Sequence, residues 1–322
     1  MSNKIQNNTS NTGNKRIEVF NPKMKGIIYI LLSALSFAVM SLFVNMSGDM
    51  PVFQKAFFRN IVAVIFSLSL LARSKEKFKI QKGSIKYLVL RATFGTIGIV
   101  ANFYAISHIN IADAQILNKL SPFFAILASI FVLGEVATSK QWISILVAFI
   151  GSLFVVKPEF LFAMGGNAGA VDSAYLFPSL IGVLGGLTAG IAYTFMRKLS
   201  LRGERGTIIV AFFSVFSTIV LLPFVVATYE PISMKQLVCL VLAGLSACMG
   251  QLTITAAYAN CPAKEISIYD YSSVIFAAVL GMIFLDQVPD VYSIIGYVII
   301  IGASIYSFIT NNKTSRKDSQ EA

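Results

Sequence analysis

Histidine is almost absent from this chain: His108 is the only one in the 322 residues, and it falls at the end of an apolar run. Neither a Ser-His catalytic arrangement nor a histidine-rich zinc site can therefore be assembled. The chain also lacks a Gly-Lys phosphate-binding motif and any polar stretch long enough for an ATPase domain. We predict no enzyme activity, no metal or other cofactor, and no self-contained ATP-driven pump.

Charged residues are scarce as well, at 13% of the chain, whereas hydrophobic residues make up 56%. A soluble domain of this length could not bury so much apolar surface, so the composition predicts a membrane protein. The cysteines, Cys239, Cys248 and Cys261, are odd in number and lie in or beside apolar runs. That pattern is typical of small buried side chains rather than of a disulfide framework.

Apolar runs occupy most of the chain, and most approach the roughly 20 residues with which a helix crosses about 30 Å of hydrocarbon. We therefore predict an all-α polytopic membrane protein with ten transmembrane helices. The runs lie at residues 26–46, 52–71, 87–107, 111–133, 141–156, 174–196, 207–228, 236–257, 263–285 and 291–310.

The net charge of +11 is distributed unevenly between the predicted loops. Lysine and arginine concentrate before the first run, between the second and third, after the sixth and after the tenth, whereas the opposite side carries mainly Lys157 and Lys235. By the positive-inside rule, both termini are predicted to be cytoplasmic and the protein to lie in the plasma (cell inner) membrane. Because this placement uses nearly all the excess charge, we predict no nucleic-acid partner and a modest attraction to anionic membrane lipid.

The runs divide into two groups of five at a glycine-containing stretch. Residues 1–25 are polar and lack the apolar core of a signal peptide, so they are predicted to be a disordered cytoplasmic tail. Residues 26–156 and 174–310 are predicted to be two five-helix repeats, with 157–173 as an extracytoplasmic linker and 311–322 as a cytoplasmic tail.

An internal repeat is indicated by one constant offset between the two groups. Because five is odd, the second half must enter the bilayer in the opposite orientation, which predicts an inverted-topology repeat with a central site near the midplane. The offset pairs Ala112 with Ala263, Lys119 with Asp270, Ser121 with Ser272, Glu135 with Asp286, and Gly151 with Gly302.

These paired motifs resemble the EamA-type branch of the drug/metabolite transporter superfamily. The resemblance covers residues 26 to 310 as two cassettes of five helices, and it implies a secondary transporter of small metabolites built around a central cavity. Asp286 stands where a glutamate is more usual, and Lys119 is outside the common family pattern. The segments that carry the resemblance are Ala112 through Leu120-Ser121-Pro122 to Leu133-Gly134-Glu135, Tyr269-Asp270-Tyr271-Ser272 through Phe284-Leu285-Asp286, and Arg59.

Lys119 and Asp270 are the two charges that fall at matching positions inside apolar runs. An ionised side chain in hydrocarbon costs at least a few kcal/mol and marks a functional site by default. Lys119 is about 12 Å from one face and Asp270 about 10 Å from the other, at 1.5 Å per residue. Two interpretations are open: the charges neutralise each other and lock the halves together, or a small zwitterion binds between them.

Residues near these two charges offer hydroxyl, amide and aromatic groups that suit a binding cavity. Pro122 removes one amide from the helix ladder and so releases the Asn118 carbonyl beside Lys119. With Lys119 and Asp270, we predict substrate-binding roles for residues within about one helical turn of either charge. These are Asn118, Gln115, Phe123, Tyr269, Tyr271, Ser267 and Ser273.

Other polar residues in the runs are weaker candidates. Arg59 either binds helix-end carbonyls or attracts an anionic group at the outer mouth of the cavity. Lys55 and Arg91 are expected to extend to the membrane surfaces. Hydrogen bonding between helices is the alternative use of the remaining candidates, which are Asn102, Tyr104, Tyr193 and Gln251.

The main functional prediction is a secondary active transporter that moves a small polar, amino-acid-like or zwitterionic metabolite by alternating access. Asp270 is the better candidate for proton coupling, although a stable pair with Lys119 would hold it ionised. One alternative is transport of S-adenosylmethionine or another cationic nucleoside compound, with tyrosine rings stacking on it. From another class, a passive channel or a non-transporting membrane scaffold remains open.

Overall fold

The computed structural model describes residues 22–73, 80–134, 139–156, 173–260 and 267–318. Regular structure in these ranges is helical: α1 Pro22–Met46, α2 Val52–Arg73, α3 Ile85–His108, α4 Ile111–Asn118, α5 Ser121–Leu133, α6 Ser139–Val156, α7 Ser173–Leu201, α8 Gly206–Ala227, α9 Met234–Asn260, a 3-10 segment Ser267–Tyr271, α10 Ser272–Phe284 and α11 Val291–Asp318.

Each predicted apolar run is mainly helical where it is described, so the all-α prediction is confirmed. Seven helices in the described ranges are long and apolar enough to cross a membrane, with α4 and α5 taken together as one of them. The remaining apolar helices, Trp142–Val155, Tyr269–Phe284 and Val291–Tyr306, are shorter. The chain is thus a multi-pass membrane protein, with spanning length reached by seven of the ten predicted helices.

Some of the features predicted from the sequence lie outside the residues that the structure describes. The predicted linker, apart from its last residue, and most of the amino-terminal tail lie outside the described ranges, as do Glu135, Cys261 and the side chain of Ser267. At the carboxyl end, α11 continues to Asp318, so much of the predicted tail at 311–322 is helical.

The sequence repeat reappears as a repeated interruption of one helix in each half. Helices α5 and α10 both have 13 residues, and they begin at the paired serines Ser121 and Ser272. Before α5, Lys119 and Leu120 lie outside both flanking helices. Before α10, the chain forms the tighter 3-10 segment that contains Asp270. Pro122 at the start of α5 has no amide to offer the Asn118 carbonyl, which favours the break.

Helix packing is reciprocal between the two halves. The first helix of each half packs on the third helix of the other, as α1 on α9 and α7 on α3. The second helices, α2 and α8, pack together, and so do the fifth helices, α6 and α11. The same exchange relates α5 on α7 to α10 on α1. Both interrupted helices are therefore held against the opposite half.

Two glycines of α7 let this helix touch the backbone at the first interruption. A Cβ atom at Gly186 would lie 2.7 Å from the Leu117 carbonyl oxygen, and one at Gly190 would lie 2.6 Å from the Ser121 carbonyl oxygen. Both distances are too short for real atoms, so only glycine allows α7 to approach this closely.

Replacement of Gly190 by alanine tests this contact. We expect Gly190→Ala to destabilise the purified protein by about 1–3 kcal/mol, because the added methyl overpacks a backbone contact. The matched control is Gly302→Ala, since Gly302 lies in α11 with nothing within 4 Å of its added Cβ. Thermal unfolding in detergent measures both variants. Equal melting temperatures for the two variants would contradict the packing described here.

Candidate functional site

Lys119 and Asp270 form a direct ion pair between the two halves, in which Lys119 Nζ donates to Asp270 Oδ2. Their side chains are 12% and 22% exposed, so the pair is largely removed from the surface. The other carboxylate oxygen, Asp270 Oδ1, is buried and accepts no hydrogen bond within the described part of the chain. Asp270 Oδ1 can therefore still accept a hydrogen bond, although the Lys119 ammonium group already compensates part of the carboxylate charge.

The two helix interruptions are tied to each other beneath the ion pair. Tyr271 donates its hydroxyl to the Lys119 carbonyl oxygen at 3.1 Å, and Ser304 hydrogen-bonds to the Tyr271 hydroxyl. Ser273 donates to the Asp270 carbonyl oxygen at 2.9 Å. Tyr271 is only 7% exposed and Ser273 is fully buried. These two predicted ligands of a substrate therefore position the charged residues in the present conformation.

Gln115 and Phe123 also point into the packed interior. Gln115 is 5% exposed and donates to Ser41 Oγ at 2.6 Å, which joins α4 to α1. Phe123 is 3% exposed and belongs to the main hydrophobic core. Neither residue offers surface to a ligand in this conformation.

Six other predicted residues keep accessible surface. Tyr193 is 47% exposed and lies within electrostatic range of both Asp270 and Arg91. Tyr269 beside Asp270 is 37% exposed. Asn118, Asn102 and Tyr104 are half-buried and Gln251 is exposed, with Tyr104 stacked on His108 at 4.1 Å between ring centroids.

Lys55 and Arg91 lie deeper than the sequence suggests. Lys55 is 1% exposed and donates to Ser107 Oγ at 2.8 Å, so the prediction that it extends to the membrane surface is wrong. The Arg91 guanidinium lies 3.8 Å from the centre of the Phe213 ring, with Nε and Nη1 buried. The prediction that Arg91 extends to the membrane surface is therefore also wrong. Arg59 is 5% exposed and lies within electrostatic range of Arg91.

A buried carboxylate that the sequence reading missed lies near the start of α4. Asp113 is fully buried, and it accepts hydrogen bonds from Tyr297 at 2.6 Å and from Tyr175. The tyrosines belong to α11 and α7, so Asp113 of the first half is held by the second half. An acid within an apolar run was the available signal, but its position near the helix start made it resemble a surface residue.

The chain is similar to known transport proteins over most of its length. Residues 24–157 and 176–309 match the EamA-like transporter family. The pseudopaline exporter CntI of Pseudomonas aeruginosa (strain UCBPP-PA14) is 30% identical over 283 residues, which are 87% of this chain and 94% of that protein. A riboflavin transporter of Brucella anthropi is 26% identical over 272 residues, or 81% and 89% of the two chains.

A solved crystal structure shares the fold. Its superposition has a TM-score of 0.62 with 11% sequence identity, and it covers 88% of this chain and 98% of the other. At this identity the similarity concerns the architecture alone. The repeated helical arrangement is therefore one that an experimentally solved protein also adopts.

A double-mutant cycle tests the ion pair. We expect Lys119→Met and Asp270→Asn to lower the melting temperature individually, because each leaves an uncompensated charge at a cost of about 3–5 kcal/mol. The double variant should recover most of the loss, since both charges are then removed. Thermal unfolding of the four proteins gives the coupling. If the double variant loses the sum of the two single effects, the residues are not paired.

The Asp113 cluster can be tested at Tyr297. We expect Tyr297→Phe to destabilise the protein by about 1.5–3 kcal/mol, because a hydrogen bond to a charged group is lost. Tyr306→Phe is the matched control, as Tyr306 lies on the same helix and is 44% exposed. Melting temperatures measured side by side decide the matter; no difference between the variants would contradict the assigned bond.

Proposed function

Because the chain belongs to the EamA-like transporter family, we propose that it is a secondary active transporter of a small zwitterionic metabolite, working by alternating access in the inner membrane. The family and the named relatives are transporters, not enzymes. The observation that carries the substrate class is the Lys119–Asp270 ion pair, one charge from each half, with a free buried carboxylate oxygen.

Helix direction supports an inverted repeat. Near the end of α1, Asn45 donates to the Ile106 carbonyl oxygen near the end of α3 at 2.6 Å. The chain then turns into α4, where Asp113 binds Tyr175 near the start of α7. The first helix of one half thus ends where the first helix of the other half begins. Opposite directions of equivalent helices favour halves that can rock about a central site.

A zwitterion can replace the internal ion pair without stranding either charge. Its carboxylate would pair with Lys119, and its ammonium group would pair with Asp270, where Oδ1 is already unoccupied. Each protein charge then stays compensated whether the cargo is bound or absent, which avoids the cost of an isolated buried ion. Opening the pair also exposes the carboxylate of Asp270, which keeps this residue the candidate for proton coupling.

The Asp113 cluster fits the same mechanism as a closure between halves. By the predicted orientation it lies at the extracytoplasmic end, and it links α4 to α7 and α11 through two tyrosine hydroxyls. These bonds must break for that end to open. We propose that Asp113, Tyr175 and Tyr297 hold the extracytoplasmic side shut in this conformation.

Transport in proteoliposomes tests the proposal. We expect saturable flux of at least one compound from a panel of amino acids, S-adenosylmethionine and spermidine, with the zwitterions preferred. Lys119→Met, Asp270→Asn and the double variant should each lose at least about tenfold in flux, because a charge-assisted contact to cargo is worth 1.5–3 kcal/mol.

The double variant separates a binding role from a structural lock, since it should recover stability but not transport. Lys235→Gln serves as the control, as Lys235 is exposed at the start of α9. Wild-type flux in the double variant would leave the pair as a lock only. Flux that does not saturate would indicate a channel.

A further inference from the structure

We propose that Arg59 and Arg91 form a carboxylate-binding subsite beside the Lys119–Asp270 pair, so that the cargo is an acidic, amino-acid-like molecule with at least two carboxylates. This inference rests on the proposed transport function and narrows its substrate class. It also bears on the alternative of a cationic nucleoside compound, which two nearby arginines would repel.

Arg59 carries a buried charge and forms no ion pair with an acidic residue in the described part of the chain. It lies on α2 with 5% of its surface exposed, and Nη1 donates to the neutral amide oxygen of Asn60 at 2.9 Å. Its Nε is buried and has no acceptor among the residues that the structure describes. A neutral amide compensates a guanidinium only in part, so Arg59 retains donor capacity and positive charge.

Arg91, on α3, likewise has buried guanidinium nitrogens without an acceptor among the described residues. Its guanidinium lies over the Phe213 ring, which contributes about 1–2 kcal/mol as a cation–π contact. Nε and Nη1 are buried, again with no acceptor in the described ranges. The charged residue within its electrostatic range is Arg59, a like charge that opposes burial.

Tyr193 locates Arg91 in the same region of the protein as the ion pair. This tyrosine lies within range of both Arg91 and Asp270 and is 47% exposed. Lys119 and Asp270 cancel each other, so the two arginines leave this central cluster positive. Buried charges are normally paired, and the guanidinium fork suits a carboxylate. An anionic group of the cargo is therefore the missing partner.

The arrangement assigns one part of the cargo to each group. The ammonium group would face Asp270 and one carboxylate would face Lys119, as in the proposed function. A second carboxylate would accept from the free nitrogens of Arg59 and Arg91. Structural arginines normally satisfy their donors, and their removal is costly. Here Nε of both arginines and Nη1 of Arg91 lack acceptors among the described residues. Removing either charge also relieves the repulsion between the arginines, which offsets the lost contact to Asn60 or Phe213, so neutral replacements should not lower the stability of the empty protein.

Ligand-dependent thermal unfolding of the purified full chain tests this subsite with L-glutamate, L-glutamine and inorganic phosphate as probes. Glutamate and glutamine differ mainly by the second carboxylate. We expect glutamate to stabilise the wild-type protein at concentrations at least about tenfold lower than glutamine, as a charge-assisted contact requires. Arg59→Gln and Arg91→Gln should lose this preference while melting no earlier than wild type without ligand.

The control is Arg73→Gln, because Arg73 lies on the same helix as Arg59 but is exposed. It should keep the glutamate preference. Equal responses to glutamate and glutamine, or stabilisation by phosphate alone, would overturn the subsite. So would glutamine variants that unfold while Arg59→Lys and Arg91→Lys fold, since the arginines would then be structural.

Flux measurements keep the two proposals apart. If Arg59→Gln and Arg91→Gln leave saturable glutamate transport unchanged, the subsite is wrong and the transport function stands. If wild-type proteoliposomes move none of the compounds in the panel, the transport function itself fails. Loss of glutamate transport with retained glutamine transport in the arginine variants supports both.

Discussion

The Lys119–Asp270 ion pair is the interaction on which the arrangement of this protein depends. Each half supplies one charge, and each charge lies where a membrane helix is interrupted. Tyr271 fixes the backbone of Lys119, and the glycines of α7 allow this helix to support the interrupted segment. A buried ion pair adds little net stability, because the cost of removing both charges from water offsets their attraction. Removing one partner is nevertheless costly, because the other charge is left uncompensated. The halves are therefore joined by a contact that the proposed zwitterionic cargo would replace.

The two ends of the helical bundle differ in polarity although the halves share one fold. Asp113 is bonded to Tyr175 and Tyr297, which belong to the opposite half. The repeat offset places Leu146 opposite Tyr297, and Leu146 is 63% exposed and has no hydroxyl. Among the described residues, the hydroxyl that Tyr297 offers to Asp113 therefore has no equivalent at Leu146. A transporter with unequal closures has unequal free energies for its two openings, which is a basis for a preferred resting state.

Helix positions were predictable from the lengths of the apolar runs. The repeat was predictable because one constant offset aligns motifs of the two halves, including Ser121 with Ser272. Regular helical spacing does not hold where a helix is interrupted. Gln115 keeps its helical spacing to Lys119, whose amide bonds to the Gln115 carbonyl oxygen, whereas the spacing from Lys119 to Phe123 is broken between α4 and α5. Around Asp270 the 3-10 segment changes the period again. Lys55 and Arg91 have stems long enough to reach either the surface or the interior, and only packing decides which.

The central claim is that cargo opens the ion pair. It can be tested by nuclear magnetic resonance in lipid bilayers, through the dipolar coupling between 15N in the Lys119 ammonium group and 13C in the Asp270 carboxylate. Without cargo, the coupling should correspond to direct contact. With a saturating concentration of the best-transported compound, we expect the coupling to disappear as the cargo takes the place of each partner. A coupling unchanged by saturating cargo would contradict the mechanism and leave the pair as a fixed link between the halves.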